Sequence, residues 1–366
     1  MNHKIYMKKA IFLAKKGIFT TSSNPMVGCI IVKKNIIVGQ GWHKKFGSSH
    51  AEINALKESK KLSIGSTMYI TLEPCFHYGK TGPCYKKIVK SGIKEIFIAV
   101  KDPNPKVSGQ SIKFFKKSGI IVHLGLMKNE AKNLNKDFFK WMKTKIPWIK
   151  LKMAMSIDGK IADNSGFSKW ITSKKSRKNV QILRAKSSAI LTTSNTVIKD
   201  NPLLNVRFSD INKKNKLIIK KKNYIHPIRI IIDSKNRIKK NHKIIQIKEK
   251  IFLIRLKSDN KKWPKHVKQI IVPQYKKKIN LINLFYLLGT LNIKNILIES
   301  GSLLATSLIS LKLVDELIIY CAPIILGNKS KPIFLFNKIK KMSQSKKIYF
   351  KKITRIGSDL KFTITF

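Results

Sequence analysis

The stretch from Ser48 to Cys84 reads S-S-H-A-E-I-N-A-L at 48–56, a polar turn at Ser63-Ile64-Gly65, M-Y-I-T-L-E-P-C at 68–75, and Cys84 nine residues further on. Apolar residues at Ile53, Ala55 and Leu56 follow helical spacing, and Met68–Leu72 is a short β-rich run, so the stretch alternates helix, strand and a second helix that opens at Cys84. His50, Cys75 and Cys84 offer one imidazole and two thiolates. Three such ligands suit a tetrahedral zinc ion whose fourth position stays open for water, and zinc lowers the pKa of that water. Glu52, two residues after His50, is placed to take the proton and pass it to a departing amine. A purely structural zinc would call for a fourth protein ligand; His77, two residues after Cys75, is the nearest candidate, and the catalytic reading is preferred to it.

His-x-Glu followed by Pro-Cys and a second Cys is the pattern of zinc deaminases acting on cytosine-like or adenine-like rings. Nucleic-acid and cytidine deaminases carry a short C-x-x-C, whereas eight residues, F-H-Y-G-K-T-G-P, separate the two thiolates here. With N-P-M-V-G-C-I-I-V at 24–32, G-W-H ending at His43 and D-P-N-P-K-V-S-G at 102–109, the first half resembles the bifunctional riboflavin-biosynthesis enzymes of the RibD type. That family joins a pyrimidine deaminase to a reductase, and the resemblance runs essentially end to end.

Working outward, Tyr6–Lys16 has an amphipathic helical pattern with Ala10, Leu13 and Ala14 on one face and Gly17 as its stop. Val27–Val32 and Ile36–Gly41 are β-rich runs joined by Lys33-Lys34-Asn35, a hairpin signal. After the Cys84 helix come a strand at Ile96–Val100, a helix at Ser111–Lys117 and a strand at Ile120–Leu124. Glu130–Thr144 reads as one helix turning Leu134, Phe138 and Trp141 inward, ended by Pro147. The alternation predicts one α/β layer whose later portion is mostly parallel. A domain boundary is expected near Lys145, giving domains 1–145 and 146–366. The second domain shows strands at Trp148–Met155, Ala189–Thr193, Arg229–Asp233, Ile251–Ile254, Gln269–Val272, Asn295–Glu299 and Glu316–Ala322. The Lys- and Asn-rich Asp210–His226 is expected to be a loop.

The second half carries its own motifs: K-L-K-M-A-M-S-I-D-G-K-I-A at 150–162, S-K-W-I-T at 168–172 and E-S-G-S-L-L at 299–304. A strand, a Gly-containing turn and a helix start present free N–H groups to a pyrophosphate, although such a start is more often an ordinary cap. No Rossmann G-x-G-x-x-G follows a strand, which fits a different nicotinamide-binding fold. The resemblance implies a cytidine-deaminase-like α/β/α first domain and a dihydrofolate-reductase-like α/β second domain. It further implies NADPH contacts from Ala154, Trp170, Thr196, Asp200, Ser234, Gly301, Ser302, Leu303, Leu304, Ala305, Thr306 and Ser307. For the substrate, a phosphorylated pyrimidine, it implies Ser168, Arg184, Leu204, Arg207 and Glu299 in the second half, and Asn24, His43, Lys80, Asp102 and Asn104 in the first. The two arginines suit a ribose 5-phosphate, since a guanidinium meets phosphate oxygens in bidentate fashion. The chain departs from the family's usual P-C-S-H-H-G-R-T-P-P-C loop at Phe76, Tyr78, Lys80 and Gly82, and has Ser23 where Pro is common.

The 366 residues, 43% hydrophobic, are enough for two domains with a core each. Against 18 Asp and Glu stand 76 Lys and Arg, a net charge of +58. Such a balance raises the alternative of an RNA-base deaminase, or of a basic RNA-binding protein with a structural zinc. Lysine, isoleucine and asparagine are enriched together in every segment, with no basic stripe interleaved with aromatics, so a compositional bias is the preferred account and no specific nucleic-acid partner is expected. Four cysteines leave Cys29 and Cys321 in separate apolar strands, which argues for a reducing cytosol and no disulfide framework. The N-terminus lacks the h-region of a signal peptide, and no run of about 18 uncharged apolar residues spans a membrane. A cytoplasmic enzyme is the expectation, with a homo-oligomer left open.

Overall fold

The computed structural model describes every residue except 1, 22–23, 77, 79–81, 106, 169, 212–223 and 337–340. The chain divides into two compact units: the residues up to Lys145, joined by Tyr224 and Ile225, make up the first, and the other described residues from Ile146 onward make up the second.

In the first unit β1 (Gly28–Lys33) and β2 (Ile36–Trp42) form an antiparallel hairpin. Its turn residues Lys34 and Asn35 both have positive φ, 47° and 66°, the geometry whose twist matches the flanking strands. β3 (Thr67–Ile70) pairs antiparallel with β1, then β4 (Glu95–Ile98) and β5 (Ile121–Leu124) continue in parallel, giving the order β2-β1-β3-β4-β5. Helices α1 (His3–Ala14), α2 (Ala51–Ser59), α3 (Cys84–Lys90) and α4 (Gln110–Lys117) connect and cover the sheet. Two apolar clusters form the core: Cys29, Ile31, Met68, Ile70, Ile96 and Ile98 turn toward α2, α3 and α4, while Ile30, Val32, Tyr69 and Phe97 turn toward α1. The period of two along each strand produces this division.

Two glycines of β2 bring α2 against the sheet. A Cβ on Gly41 would overlap the Ala51 carbonyl oxygen and lie 2.5 Å from the Ala55 nitrogen, and one on Gly39 would stand 2.9 Å from the Ser59 Cβ. Only the missing side chains allow that approach, so G-Q-G at 39–41 fixes where the helix bearing His50 and Glu52 starts.

The continuous helix expected over 130–144 is in fact two, α5 (Lys128–Leu134) and α6 (Lys136–Thr144). Asn135 leaves helical geometry at φ −120°, ψ 31° because its side chain is used elsewhere: Oδ1 accepts from the Met26 N–H at 2.8 Å and Nδ2 donates to the Met26 carbonyl at 2.8 Å. Phe138 is buried as expected, whereas Leu134 and Trp141 are half-buried and Ala131 takes the inner position instead.

The second unit is built on a nine-stranded sheet. β6 (Trp148–Ser156) leads through the short β7 (Lys160–Ala162) to α7 (Lys174–Ala185), then β8 (Ala189–Thr193), α8 (Ser194–Asp200), β9 (Ile228–Ile232), β10 (Ile251–Arg255) and β11 (Val267–Ile271). After a two-residue ribbon of β12 (Gln274–Tyr275) and β13 (Lys278–Ile279) come α9 (Leu281–Thr290), β14 (Asn295–Glu299), α10 (Ser302–Ser310), β15 (Glu316–Ala322) and β16 (Lys331–Pro332). The chain closes with β17 (Tyr349–Ile356) and β18 (Asp359–Thr365). The sheet order is β11-β10-β9-β8-β14-β6-β15-β18-β17, parallel as far as β15 and antiparallel from there. Near-continuous apolar runs such as N-I-L-I at 295–298 and L-I-I-Y-C-A at 317–322 suit strands covered on both faces. The sequence reading found the seven main parallel strands but not the β17–β18 hairpin. Of Asp210–His226, all but a few residues lie outside the described set.

Candidate active sites

Helix starts bring the donor set of the first unit together. His50 is the residue before α2, held extended at φ −72°, ψ 169°; Cys84 opens α3 after Pro83; Cys75 lies in the connection leaving β3. His50 Nδ1 stands 3.5 Å from Cys75 Sγ and 3.3 Å from Cys84 Sγ. Zn–S bonds of about 2.3 Å and Zn–N bonds of about 2.0–2.1 Å place tetrahedral donors roughly 3.5–3.8 Å apart, so the three residues fit the ion. Among the described residues this is the one group of three or more His, Cys, Asp or Glu near enough to hold a metal. His77 lies outside the described residues, as does Lys80.

The protonation preferences of these donors are set largely by one another. Its hydrogen bond with Cys84 lowers the Cys75 thiol to about 4 despite burial, with help from His50 and from the Cys84 backbone N–H at 3.3 Å. Cys84 moves the opposite way, because one thiol must hold the proton that bonds the other. His50 rises to about 9, chiefly through its bond to Cys75. Burial lifts the Glu52 carboxyl to about 7, against the lowering charge of His50. A carboxyl in the first turn of α2, only 3% exposed, is placed to exchange protons near neutral pH.

Asn24 and His43 adjoin this centre. Asn24 Nδ2 is 3.2 Å from His43 Nε2, His43 Nδ1 is 3.4 Å from the Ser49 carbonyl, and the His43 ring stands edge-on to His50 at 5.3 Å. Burial and the charge of His50 lower the His43 pKa to about 4. Asp102 and Asn104 share a turn in which the Asn104 N–H donates to Asp102 Oδ1 at 2.8 Å. That turn hangs on a residue the motif reading left unassigned. Buried Glu73 accepts from the Asp102 N–H at 3.1 Å, the Gly109 N–H at 3.0 Å and the Ser111 hydroxyl at 2.9 Å. A carboxylate between Leu72 and Pro74 was the available signal, since a buried Glu must find such partners. Phe76, one of the departures from the usual loop, stacks on Tyr85 at 4.3 Å and so pins the chain beside Cys75.

In the second unit Glu299 at the end of β14 receives Arg184 of α7 on both oxygens, Nε at 2.6 Å and Nη2 at 3.1 Å. Arg184 Nη1 also donates to the Asn205 carbonyl at 3.1 Å. Lys152 Nζ lies 3.9 Å from Glu299, because the parallel register sets the two residues side by side. Burial would raise the Glu299 carboxyl, but the charges of Arg184 and Lys152 outweigh it and hold it below the usual carboxylate range. Sequence reasoning missed Lys152; the alternation K-L-K on a central strand, one lysine per turn of the pleat inside a buried sheet, was its only trace. Arg207 stands near enough to act on Glu299 electrostatically, pairs with Asp210 at 2.7 Å, and is positioned through its N–H by Gln181 of α7 at 3.0 Å.

The other expected contacts divide by what their side chains do. Thr196 and Asp200 lie on α8, Ser234 follows β9, and all three are half-buried. Ala154 is half-buried on β6, Ser168 half-buried in the loop before α7, and Trp170 is exposed under the Arg177 guanidinium at 4.2 Å. At α10 no side chain caps the first turn, and a Cβ on Gly301 would meet nothing within 4 Å. Ser302 Oγ bonds the Pro332 carbonyl, Thr306 Oγ1 accepts from the Leu335 N–H, Ser307 Oγ donates to the Leu303 carbonyl, and Leu303 is exposed. Leu304 and Ala305 point into the core, and the Ala305 N–H is spent on Gly301. Leu204 likewise buries its side chain, with φ +46°. These three have no side-chain polar group to offer a ligand.

Comparison with known proteins agrees with both halves. The profile of the cytidine and deoxycytidylate deaminase zinc-binding region matches residues 1–100, and that of the RibD C-terminal domain matches residues 147–362. The riboflavin biosynthesis protein RibD of Buchnera aphidicola subsp. Baizongia pistaciae is 54% identical, covering 100% of this chain and 99% of its own. The 5-amino-6-(5-phosphoribosylamino)uracil reductase of Buchnera aphidicola subsp. Acyrthosiphon pisum is 50% identical over 55% of this chain and 97% of its own. A solved structure of Acinetobacter baumannii RibD superposes with a TM-score of 0.90 at 34% identity, covering 99% of this chain and 98% of that one. The expected deaminase-like and RibD-reductase folds hold, and of the two readings of the sequence the comparisons favour the enzyme over the RNA-binding protein: the chain belongs to the RibD family of bifunctional riboflavin-biosynthesis proteins, with a deaminase and a pyrimidine reductase domain.

Proposed function

We propose that residues 1–145 deaminate 2,5-diamino-6-(5-phosphoribosylamino)pyrimidin-4(3H)-one by hydrolysis of its cyclic amidine. Residues 146–366 then reduce the ribosyl group of 5-amino-6-(5-phosphoribosylamino)uracil to ribityl. The observation that carries the reading is the convergence of His50, Cys75 and Cys84 at zinc-donor spacing beside the buried carboxyl of Glu52. Zinc held by these residues supplies a Lewis acid that makes water nucleophilic near neutral pH. Glu52 takes the proton from that water and returns it to the leaving amine, a role its raised pKa suits. Asn24 and His43 orient the ring, His43 staying neutral at physiological pH so that it both accepts and donates. The turn of Asp102 and Asn104, held by Glu73, closes the same site, and Lys80 completes the substrate contacts.

In the second domain NADPH supplies the hydride, and the protein supplies position and charge. Thr196, Asp200, Ser234 and the first turn of α10 hold the cofactor, with Ala154 and Trp170 against it. Arg184 and Arg207 meet the substrate phosphate, Glu299 sets the direction of Arg184 and Lys152, and Ser168 and the Leu204 backbone complete the pocket. Lys152, kept short of its usual basicity by burial, is positioned to donate a proton as the sugar is reduced. The enzyme works in the cytosol on a small phosphorylated pyrimidine. No helix among the described residues is long and apolar enough to cross a membrane.

The test gives the zinc-loaded chain the diaminopyrimidine with NADPH and follows ammonia and NADPH oxidation together. Ammonia should precede and equal NADPH consumed. NADPH oxidation that outran ammonia release would show that the second site accepts the undeaminated ring, and absence of both would refute the reading.

A further inference from the structure

Of the chain's five tryptophans Trp170 alone is exposed, at 70%, while the other four are half-buried. Its indole is nonetheless held. The Arg177 guanidinium stands over the ring, 4.2 Å from its centre, and Nη1 of the same group donates to the Thr172 carbonyl at 2.5 Å. A cation thus covers one face of an otherwise open ring. Arg184, Arg207, Arg229 and Arg255 each pair with a carboxylate. Among the described residues Arg177 pairs with none, so its charge is spent on the indole and on that carbonyl.

The backbone aims this guanidinium. Arg177 lies in the first turn of α7, where its N–H donates to the Ser173 carbonyl at 3.1 Å. Ser173 caps that helix, its hydroxyl oxygen accepting from the Ser176 N–H at 3.3 Å. The Ser173 N–H and hydroxyl both donate to Asp359 Oδ2 at 2.8 Å, and Asp359, at the start of β18, is only 1% exposed. A buried carboxylate 186 residues away therefore fixes the end of the segment that carries Trp170, and Arg177 reaches back from the helix onto the same segment. Lysine is the default cation of this chain, which holds seven arginines, all in its second half. A guanidinium does here what an ammonium cannot, lying flat along the ring while its edge donates to a carbonyl.

An exposed indole that is held in one place suits a stacking wall. A flat ligand ring gains offset contact with an indole at full value only when the indole is already ordered. An unrestrained side chain has to be ordered at the moment of binding, which weakens affinity roughly two- to tenfold. Resting on the reading of Trp170 as a cofactor contact, we infer that Arg177 is a positioning residue of the reductase: it holds the Trp170 indole ready as a wall for a flat ring of bound NADPH, and acts through that indole alone.

Near-ultraviolet circular dichroism of the full chain reads the indole without any turnover. The band lost in Trp170→Phe identifies that ring, and Arg177→Ala should lose the same band. NADPH binding, measured by calorimetry, should weaken about two- to tenfold in Arg177→Ala, as the ordering of one side chain predicts. The KM for NADPH should rise by the same factor, with kcat and the KM for the deaminated pyrimidine little changed. Arg177→Lys, which keeps the charge without the flat fork, should recover part of the loss. Arg177→Gln, which keeps a donor for the Thr172 carbonyl, carries the same prediction as the alanine variant should that variant fold poorly. Combining Arg177→Ala with Trp170→Ala should weaken NADPH no further than Trp170→Ala alone, a result that a general structural role for the arginine would not give. An unchanged Trp170 band, unchanged NADPH affinity in the Arg177 variants, or additive losses in the double variant would overturn the inference and leave the cofactor reading of Trp170 standing. A rise in the KM for the pyrimidine in place of that for NADPH would set the substrate ring against the indole and also overturn it. Undiminished NADPH binding by Trp170→Ala would remove the cofactor reading of Trp170, and this inference with it.

Discussion

The two candidate sites are put together in opposite ways. In the first unit the central groups lie within 35 residues, His50 to Cys84, and are delivered by two helix starts and one loop. In the second, Lys152, Arg184 and Glu299 come from β6, α7 and β14 and meet only because the sheet places β14 beside β6. A metal site needs donors at fixed short distances, which a short stretch of chain can supply. A site that grips an extended cofactor and a phosphate needs charges spaced over a whole sheet edge. The first kind fails when one group is removed; the second fails when the balance of charge is disturbed.

The largest effect expected is that of Glu52→Ala. Deamination should fall about 10²–10⁴-fold, the range of a positioned proton carrier, while elemental analysis still finds one zinc and NADPH oxidation with the deaminated pyrimidine is unchanged. Zinc lost along with activity would make Glu52 a determinant of the metal site and erase the contrast drawn above.

Glu299→Gln is the matching change in the second unit, acting through charge. It leaves Arg184 and Lys152 without their counter-ion, and breaking a buried pair costs about 3–5 kcal/mol. The pH dependence follows from the lowered carboxyl of Glu299. Its stabilising contribution is complete above the unfolded value of about 4.3 and fades as pH falls through the lower folded value. Thermal melts of the native chain from pH 6 down to pH 3 should therefore lose stability below about pH 4 in the second unit, and the Gln variant should start lower and show a shallower slope. Identical slopes would mean that the arginine and lysine do not hold the carboxylate as the geometry indicates.

A pair of glycines sharpens the same comparison. Gly41→Ala should destabilise the first unit by about 1–3 kcal/mol, since the new methyl group meets the Ala51 carbonyl and Ala55 nitrogen of α2 and must push the His50 helix outward. Zinc affinity should fall with it. Gly301→Ala has open space around the new atom and an ordinary φ of −83°, so the melting temperature should hold. Equal melts for the two variants would show that α2 tolerates displacement.

What the sequence revealed follows from the same difference. His50, Glu52, Cys75 and Cys84 were readable because their chemistry is local: residue type and spacing state the geometry. The main strands were readable because buried parallel strands are written as apolar runs. The closing hairpin was hidden, since Y-F-K-K-I-T-R-I at 349–356 mixes charge into an edge strand and loses its period. The break at Asn135 depends on Met26, 109 residues away, and no local pattern encodes that pairing. Lys152 and Glu73 escaped for a related reason. The role of Lys152 exists only through its register with Glu299, and that of Glu73 only through a loop some 30 residues later.

Arg207→Ala tests the mildest consequence. The guanidinium is nearly half exposed and paired with Asp210, while the backbone N–H, not the side chain, ties this residue to Gln181. Removing the side chain should leave the fold intact and take away one phosphate contact, so KM for the deaminated pyrimidine should rise about tenfold with kcat little changed. Arg184, fixed by Glu299 on one side and the Asn205 carbonyl on the other, should be the costlier of the two to replace, because its loss also strands a buried carboxylate. Steady-state kinetics on the two alanine variants, read beside their melting curves, separates the cases. A fall in kcat for Arg207→Ala at unchanged stability would place that arginine against the reacting sugar instead of the phosphate, and the division of labour between the two arginines would have to be reversed.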